Sequence, residues 1–185
     1  MQEAVQRFDE QVRRIARLLP ARRRVGVFGS TDFWHPDSER TCAEIGRLLA
    51  AIHGLLLLTG GAEGIGEAIG RSFFQARCDA ADEPLVYHLL PEGEEVWDYG
   101  VTPFAGSDMT ERREILGRLS GLFVIVEGGP RSGHEVDVAL ANQAVVIPVG
   151  RSVRGLRKRD LSAVDLPLVA RCYHLADSRL ERVYA

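Results

Sequence analysis

Short, almost wholly apolar runs alternate along the chain with longer stretches in which apolar residues recur every three or four positions. Runs of the first kind favour strands buried on both faces, and stretches of the second kind favour amphipathic helices. The predicted strands are 25–28, 55–59, 85–90, 122–126 and 144–149, and the predicted helices are 1–19, 38–53, 64–77, 109–119 and 132–142. Because strands and helices alternate, neighbouring strands are expected to run parallel.

This order of elements predicts the α/β class and a three-layer Rossmann-like fold, with a mainly parallel sheet of five or more strands flanked by helices. Right-handed crossovers bring the loops after the strands to one edge of the sheet, where such folds bind ligands. The 185 residues suffice for one domain. We expect residues 1–185 to form it, with 1–19 as an N-terminal helix and 151–185 as a C-terminal extension containing a short helix near Leu161 and a terminal strand or arm.

Composition narrows the choice of partners. A net charge of −3 provides no general basic field, so we do not expect nucleic-acid binding. The basic segment 151–159 is the local exception, and it is either a solvated loop or a contact for a phosphate backbone or an acidic partner. No apolar run approaches the roughly 20 residues of a membrane span, and no secretory signal is evident, so a cytoplasmic protein is expected.

The three cysteines indicate neither a disulfide framework nor a zinc site. Cys42, Cys78 and Cys172 are odd in number and lack CxxC spacing. We predict that they are reduced packing residues.

The loop after the first strand, residues 29–37, offers groups that suit an anion. Gly29 allows a sharp turn, and Ser30 adds a hydroxyl and a backbone N–H. An ordinary strand-to-helix turn has the same appearance. Asp32, His35 and Asp37 are weaker candidates for a metal site, because metal ligands normally have better-defined spacing.

The loop after the second strand contains a glycine cluster that runs into a helix. Gly60, Gly61 and Gly64 are suited to phosphate capture by backbone N–H groups, and also to close packing of the helix on the strand. The cluster matches neither GxGxxG nor the P-loop in register, and no lysine follows it. ATP hydrolysis by a Walker mechanism is therefore not expected.

Two arginines lie in the first turns of the helix predicted before the fourth strand. Arg112 and Arg113 oppose the helix dipole there, which is unfavourable unless an anion lies nearby. Arginine is favoured for bidentate recognition of phosphate. A surface role remains open, because Glu111 and Glu114 flank the pair.

The loop after the fourth strand opens another helix with paired glycines. Gly128 and Gly129 precede Ser132 and Glu135, which stand three residues apart as in a capping box. Helix stability alone would explain such a pair. His134 is a candidate for a surface contact with Asp137.

Taken in order, these motifs resemble the LOG family of cytokinin-activating phosphoribohydrolases, once described as lysine decarboxylase-like, and more broadly the SLOG superfamily of Rossmannoid nucleotide-binding domains. The resemblance covers residues 24–150. The family has a GS turn after strand 1, a GGxxG loop after strand 2, and the motifs MxxRK and PGGxGTxxE around strand 4. The counterparts here, in the same order, are Gly29 and Ser30; Gly60, Gly61 and Gly64; Met109, Arg112 and Arg113; and Gly128, Gly129, Ser132 and Glu135.

The resemblance implies hydrolysis of a nucleoside 5′-monophosphate to free base and ribose 5-phosphate, with Arg112 and Glu135 as the catalytic pair. Glu135 would stabilise the oxocarbenium-like state and orient water, while Arg112 would hold phosphate or assist the leaving base. The implied ligand-binding residues are Gly29, Ser30, Gly60, Gly61, Gly64, Met109, Arg113, Gly128, Gly129, Arg131, Ser132 and Gly133. No metal or redox cofactor is required, and a homodimer is implied.

Two departures from the family motif affect the phosphate loop. Glu127 replaces the proline, and Arg131 replaces the third glycine. Arg131 either adds a phosphate contact or occludes the pocket, and Glu127 is expected to bring negative charge toward the ligand. The alternative function is therefore a non-catalytic nucleotide sensor or carrier, since some members of the superfamily look like nucleotide sensors or molybdenum-cofactor carriers.

Overall fold

The computed structural model describes residues 2–153. The expected helix near Leu161, the terminal strand or arm, Cys172 and most of the basic segment lie outside these residues. Within them, no helix combines the length and the apolar character that crossing a membrane requires.

Five helices and five strands alternate in the described part of the chain, starting with the helix that the first apolar pattern predicts. The helices are α1 (Gln2–Leu18), α2 (Ser38–Ala50), α3 (Ile65–Asp79), α4 (Met109–Leu116) and α5 (Pro130–Ala141). The strands are β1 (Arg23–Gly29), β2 (Leu55–Thr59), β3 (Val86–His88), β4 (Leu122–Gly128) and β5 (Val145–Val153).

The strands form one parallel sheet in the order β3-β2-β1-β4-β5. The predicted α/β, Rossmann-like fold is thus confirmed. All five strands run parallel, but the strand order switches sides at the β1–β4 junction: β2 and β3 lie on one side of β1, and β4 and β5 lie on the other. Val27 of β1 is opposite Val124 of β4 there. The loops that leave β1 and β4 diverge there and open a crevice at the carboxyl edge, the usual ligand position in such sheets.

Two apolar cores cover the two faces of the sheet, because successive strand residues point to opposite sides. Phe28, Leu56 and Leu58 pack with residues of α1, α4 and α5. Val27 and Leu57 pack on the other face with residues of α2 and α3. The near-continuous apolar strands are explained by this burial on both sides.

The sequence overestimates β3 and α4 and misplaces the start of α5. Only 86–88 of the predicted strand 85–90 form β3, although isolated bridges join Tyr87 to Val101 and Leu90 to Phe104. Helix α4 ends at Leu116, before Gly117. Helix α5 begins at Pro130, whose fixed φ and missing N–H suit the first helical turn.

The cysteines differ in their surroundings. Cys42 packs into the core from α2, and burial raises its pKa to about 12. Cys78 is exposed near the end of α3, so its predicted packing role is wrong.

Candidate functional site

A crevice of about 90 Å³ lies at the carboxyl edge, where the loops after β1 and β2 meet the starts of α4 and α5. The sheet topology predicts this meeting point. The side chains and backbone that line it belong to Val27, Phe28, Gly29, Ser30, Thr31, Gly60, Ala62, Glu63, Gly66, Met109, Arg112, Arg113, Arg131, Ser132 and Glu135. Most of the predicted site residues are thus brought together, while Gly61, Gly64, Gly128, Gly129 and Gly133 do not line the crevice.

Arg112 and Glu135 form a buried ion pair in the crevice. Nη1 of Arg112 lies 2.5 Å from Oε1 of Glu135, and the two residues are 3% and 6% exposed. Asp108 caps α4 by accepting hydrogen bonds from the N–H groups of Thr110 and Glu111, which fixes the helix end that carries Arg112. The negative charge expected near this helix N-terminus is therefore supplied by the carboxylate of Glu135.

Gly60 makes room for the guanidinium of this pair. A Cβ at position 60 would lie 2.6 Å from Nη1 of Arg112. Nε of Arg112 is buried and has no hydrogen-bond partner among the described residues. The pair is therefore closely enclosed on the side of β2.

Positive charge exceeds negative charge around the arginines of the crevice. Burial, and after it the charge of Arg112, lowers the pKa of Arg113. Within residues 7–149, no carboxylate lies within ion-pair distance of Arg113 or Arg131. Burial raises the pKa of Glu135 against the opposing effect of Arg112. An anion entering the crevice would meet two guanidinium groups that have no ion partner within this described range.

The loop after β2, which we call the first glycine loop (residues 60–64), is shaped by packing. Gly61 and Gly64 have φ angles of 62° and 83°, which favour glycine. A Cβ at Gly64 would overlap the carbonyl oxygen of Thr31, and the Gly61 carbonyl accepts a hydrogen bond from Nε1 of Trp97 at 2.9 Å. These two glycines give the loop its path beside the crevice.

The turn from β4 into α5 is more open; we call it the second glycine loop (residues 128–133, from the last residue of β4 into the first turn of α5). Among the described residues, a Cβ at Gly129 or Gly133 would meet nothing within 4 Å. Gly129, not Ser132, is the N-cap of α5, so the capping-box interpretation is wrong. The Ser132 hydroxyl instead donates to the Gly29 carbonyl at 3.0 Å and ties the second glycine loop to β1.

The surface contact predicted between His134 and Asp137 is also not the one observed. Nε2 of His134 lies 3.1 Å from Oε1 of Glu114, a residue of α4, rather than beside Asp137. The contact therefore joins α5 to α4 instead of spanning one turn of α5.

Glu127 has a role that the sequence does not reveal. Its carboxylate accepts hydrogen bonds from the backbone N–H of Trp34, at 2.9 Å, and from the hydroxyl of Ser38. The residue is buried and does not line the crevice, so the expectation that its charge faces the ligand is wrong. The one signal in the sequence is that Glu127 replaces the motif proline. Its hydrogen-bond partners, Trp34 and Ser38, lie 93 and 89 positions away and cannot be predicted from the local sequence.

The proposed metal trio is not assembled. Asp37 pairs with Arg40 on the surface of α2. Throughout the residues that the structure describes, no group of three histidine, cysteine, aspartate or glutamate side chains has the proximity that a metal ion needs.

With the fold and crevice established, the sequence places the chain in a family. Residues 22–164 match the SLOG cluster4 family, and the chain belongs to it. The predicted membership of the SLOG superfamily is confirmed. No curated protein matches the sequence.

Solved structures support the same fold. The X-ray structure of TM1055 is 27% identical, with a TM-score of 0.61 over 76% of this chain and 81% of that one. The molybdenum cofactor carrier protein of Chlamydomonas reinhardtii is 22% identical, with a TM-score of 0.64 over 83% and 98% of the two chains. The molybdenum cofactor binding protein of the phototrophic bacterium Rippkaea orientalis is 24% identical, with a TM-score of 0.62 over 85% and 88%.

Proposed function

We propose that this protein binds an anionic, nucleotide-derived ligand by its phosphate in the crevice and holds it as a carrier or sensor, without hydrolysing it. The observation that carries the proposal is the presence of Arg113 and Arg131 in the crevice without a carboxylate partner among residues 7–149, beside an Arg112 that is already paired. Guanidinium groups bind phosphate with two parallel hydrogen bonds. The start of α5 also lines the crevice, and the positive end of its dipole favours an anion.

The state of Glu135 favours holding over hydrolysis. One of its oxygens is hydrogen-bonded to Arg112, and only 8% of its side chain is exposed. A carboxylate that stabilises an oxocarbenium-like ribose has to face the sugar with its charge available. Here Arg112 offsets that charge. Two solved proteins with the same fold are described as a molybdenum cofactor carrier and a molybdenum cofactor binding protein, which agrees with a carrier role.

Hydrolysis of a nucleoside 5′-monophosphate is the second candidate. It is favoured by the meeting of Arg112 and Glu135 in one crevice, as the LOG resemblance implies. The raised pKa of Glu135 also suits a group that exchanges a proton during the reaction. Water would then add to the ribose carbon as the bond to the base breaks, giving free base and ribose 5-phosphate.

One experiment separates the two candidates. The wild-type protein is titrated with AMP, GMP, CMP and UMP in a calorimeter, and the same mixtures are analysed for free base by liquid chromatography. Binding without base release above a Glu135→Gln control supports a carrier or sensor. Base release that Glu135→Gln abolishes supports hydrolysis, and failure to bind any of the four contradicts the proposal.

A matched pair of arginine variants tests the role of the crevice. We expect Arg131→Gln to weaken nucleotide binding about tenfold or more, because a charge-assisted hydrogen bond is lost. Arg47→Gln is the control, since Arg47 is exposed near the end of α2 and pairs with Glu44. Equal affinities of the two variants would contradict phosphate binding by Arg131.

A further inference from the structure

The crevice encloses only part of a nucleotide. Its volume of about 90 Å³ is well below the roughly 300–1,000 Å³ of pockets that surround a drug-sized ligand. With the phosphate among the crevice arginines, as the proposed function has it, the remainder of the ligand has to lie against the rim of the crevice.

The loop after β1 carries two exposed aromatic side chains that are close in sequence to the residues lining the crevice. Phe33 and Trp34 are 40% and 36% exposed, and they follow Ser30 and Thr31, which line the crevice. Of the large hydrophobic side chains exposed in the described part of the chain, the others are aliphatic, namely Leu18, Val96 and Val101. Exposed neighbouring aromatic residues beside a binding crevice are suited to a planar partner.

The backbone beneath these aromatic side chains is fixed. Glu127 accepts a hydrogen bond from the N–H of Trp34 and another from the Ser38 hydroxyl. Within the loop, the N–H of Asp32 donates to the Ser30 hydroxyl at 3.2 Å. The Trp34 backbone, which carries one of the two rings, is therefore held in place before a ligand arrives, and this lowers the entropy cost of binding.

The same contact places the Trp34 backbone next to the second glycine loop. Glu127 directly precedes Gly128 and Gly129, so the Trp34 N–H is hydrogen-bonded to the residue just before that loop. An aromatic ring can stack on a nucleobase of any sequence, because every base has a π-face.

We propose that Phe33 and Trp34 form a stacking subsite for the planar heteroaromatic ring of the ligand, with Glu127 as the residue that positions it. This inference rests on the proposed function, since it assumes that the phosphate occupies the crevice. It adds that the ring is held outside the enclosed volume, by the loop after β1.

The test compares a probe that has a heteroaromatic base with one that lacks it. Affinities of AMP and ribose 5-phosphate are measured by calorimetry for the wild type, Trp34→Ala, Trp34→Phe and the control Leu18→Ala, whose side chain is exposed on α1. We expect Trp34→Ala to weaken AMP binding about tenfold and to leave ribose 5-phosphate binding unchanged. Trp34→Phe should keep most of the AMP affinity, and Leu18→Ala should match the wild type for both probes.

The outcomes separate this inference from the proposed function. If the wild type binds both probes equally well, or if Trp34→Ala weakens both to the same extent, the stacking subsite is wrong while the phosphate crevice stands. If the wild type binds neither of these probes nor GMP, CMP or UMP, the proposed function fails and the subsite fails with it. A selective loss of AMP affinity in Trp34→Ala that Trp34→Phe restores supports the subsite.

Discussion

The two glycine loops look alike in sequence but differ in what surrounds their glycines. In the first, an added Cβ at Gly60 would meet the Arg112 guanidinium, and one at Gly64 would meet the backbone of Thr31. In the second, an added Cβ at Gly128 would meet the Ser132 side chain, whereas one at Gly129 or Gly133 would meet none of the described residues. The first glycine loop is a packed joint between β2 and α3, whereas the second leaves open space beside the start of α5.

This difference shows that a glycine cluster after a strand has two separate physical explanations. Glycines of the first loop are required by φ angle and by close approach within the protein, with or without a ligand. Contacts with the described residues do not explain Gly129 or Gly133, which leave open space where α5 begins. The Arg112–Glu135 ion pair joins the two regions, because Arg112 lies against Gly60 and Glu135 follows the second loop on α5.

The largest change in stability is expected from breaking the Arg112–Glu135 ion pair. Glu135→Gln leaves Arg112 buried without a charge partner, which should lower the free energy of unfolding by about 3–5 kcal/mol. Phosphate affinity should rise at the same time, since a negative charge leaves the crevice. Urea denaturation and calorimetry with inorganic phosphate measure the two changes.

The control for this variant is Glu44→Gln, which removes an exposed partner of Arg47 on α2. It should change the free energy of unfolding by less than about 1 kcal/mol. A similar small loss for Glu135→Gln would show that the buried pair does not hold the loops together.

Acid should weaken the first glycine loop through His88. Nδ1 of His88 lies 2.8 Å from Oγ1 of Thr59, which accepts a hydrogen bond from the N–H of Gly61. Burial lowers the pKa of His88 from 6.5 to about 4. As the pH falls below 6.5, the unfolded chain binds a proton at His88 before the folded chain does. The stability that comes from the neutral, buried His88 is therefore complete above pH 6.5 and is lost as the pH falls toward 4.

The size of the acid effect follows from the pKa difference. A shift from 6.5 to about 4 corresponds to about 3 kcal/mol at 1.36 kcal/mol per pKa unit. Urea denaturation of the wild type and of His88→Gln across this pH range measures it. The variant should lose less stability on acidification, and parallel curves for the two proteins would contradict the assignment to His88.

The smallest of the three effects compares one glycine from each loop. Gly64→Ala should lower the free energy of unfolding by about 2 kcal/mol, because its φ of 83° strains an alanine and its Cβ overlaps Thr31. Gly129→Ala, with a φ of −89° and open space, should stay within about 0.5 kcal/mol of the wild type. Thermal denaturation decides, and equal melting temperatures would remove the distinction between the loops.

Sequence patterns predicted the sheet and the position of the crevice because both follow from periodicity and chain direction. The apolar runs located β1, β2, β4 and β5 within a few residues, and the parallel order then placed Arg112 and Glu135 at one edge. The roles of these residues in binding or catalysis remain predictions.

Local motifs were less informative where distant partners decide the outcome. Ser132 resembled a capping residue but bonds to Gly29, 103 positions away. Glu127 appeared to face a ligand but bonds to the loop after β1. A short-range pattern contains no information about a contact that only the assembled sheet creates.

The left-handed backbone at Glu127 also bears on how this loop relates to its counterparts in other proteins. Its φ is 49°, at a bulge where the β4–β5 register shifts, whereas proline is confined near −65°. Exchanging this glutamate for the proline of the LOG motif would require the end of β4 to follow another path. The two versions of the loop are therefore separated by a change of main-chain course, so neither can be converted into the other by grafting a single side chain.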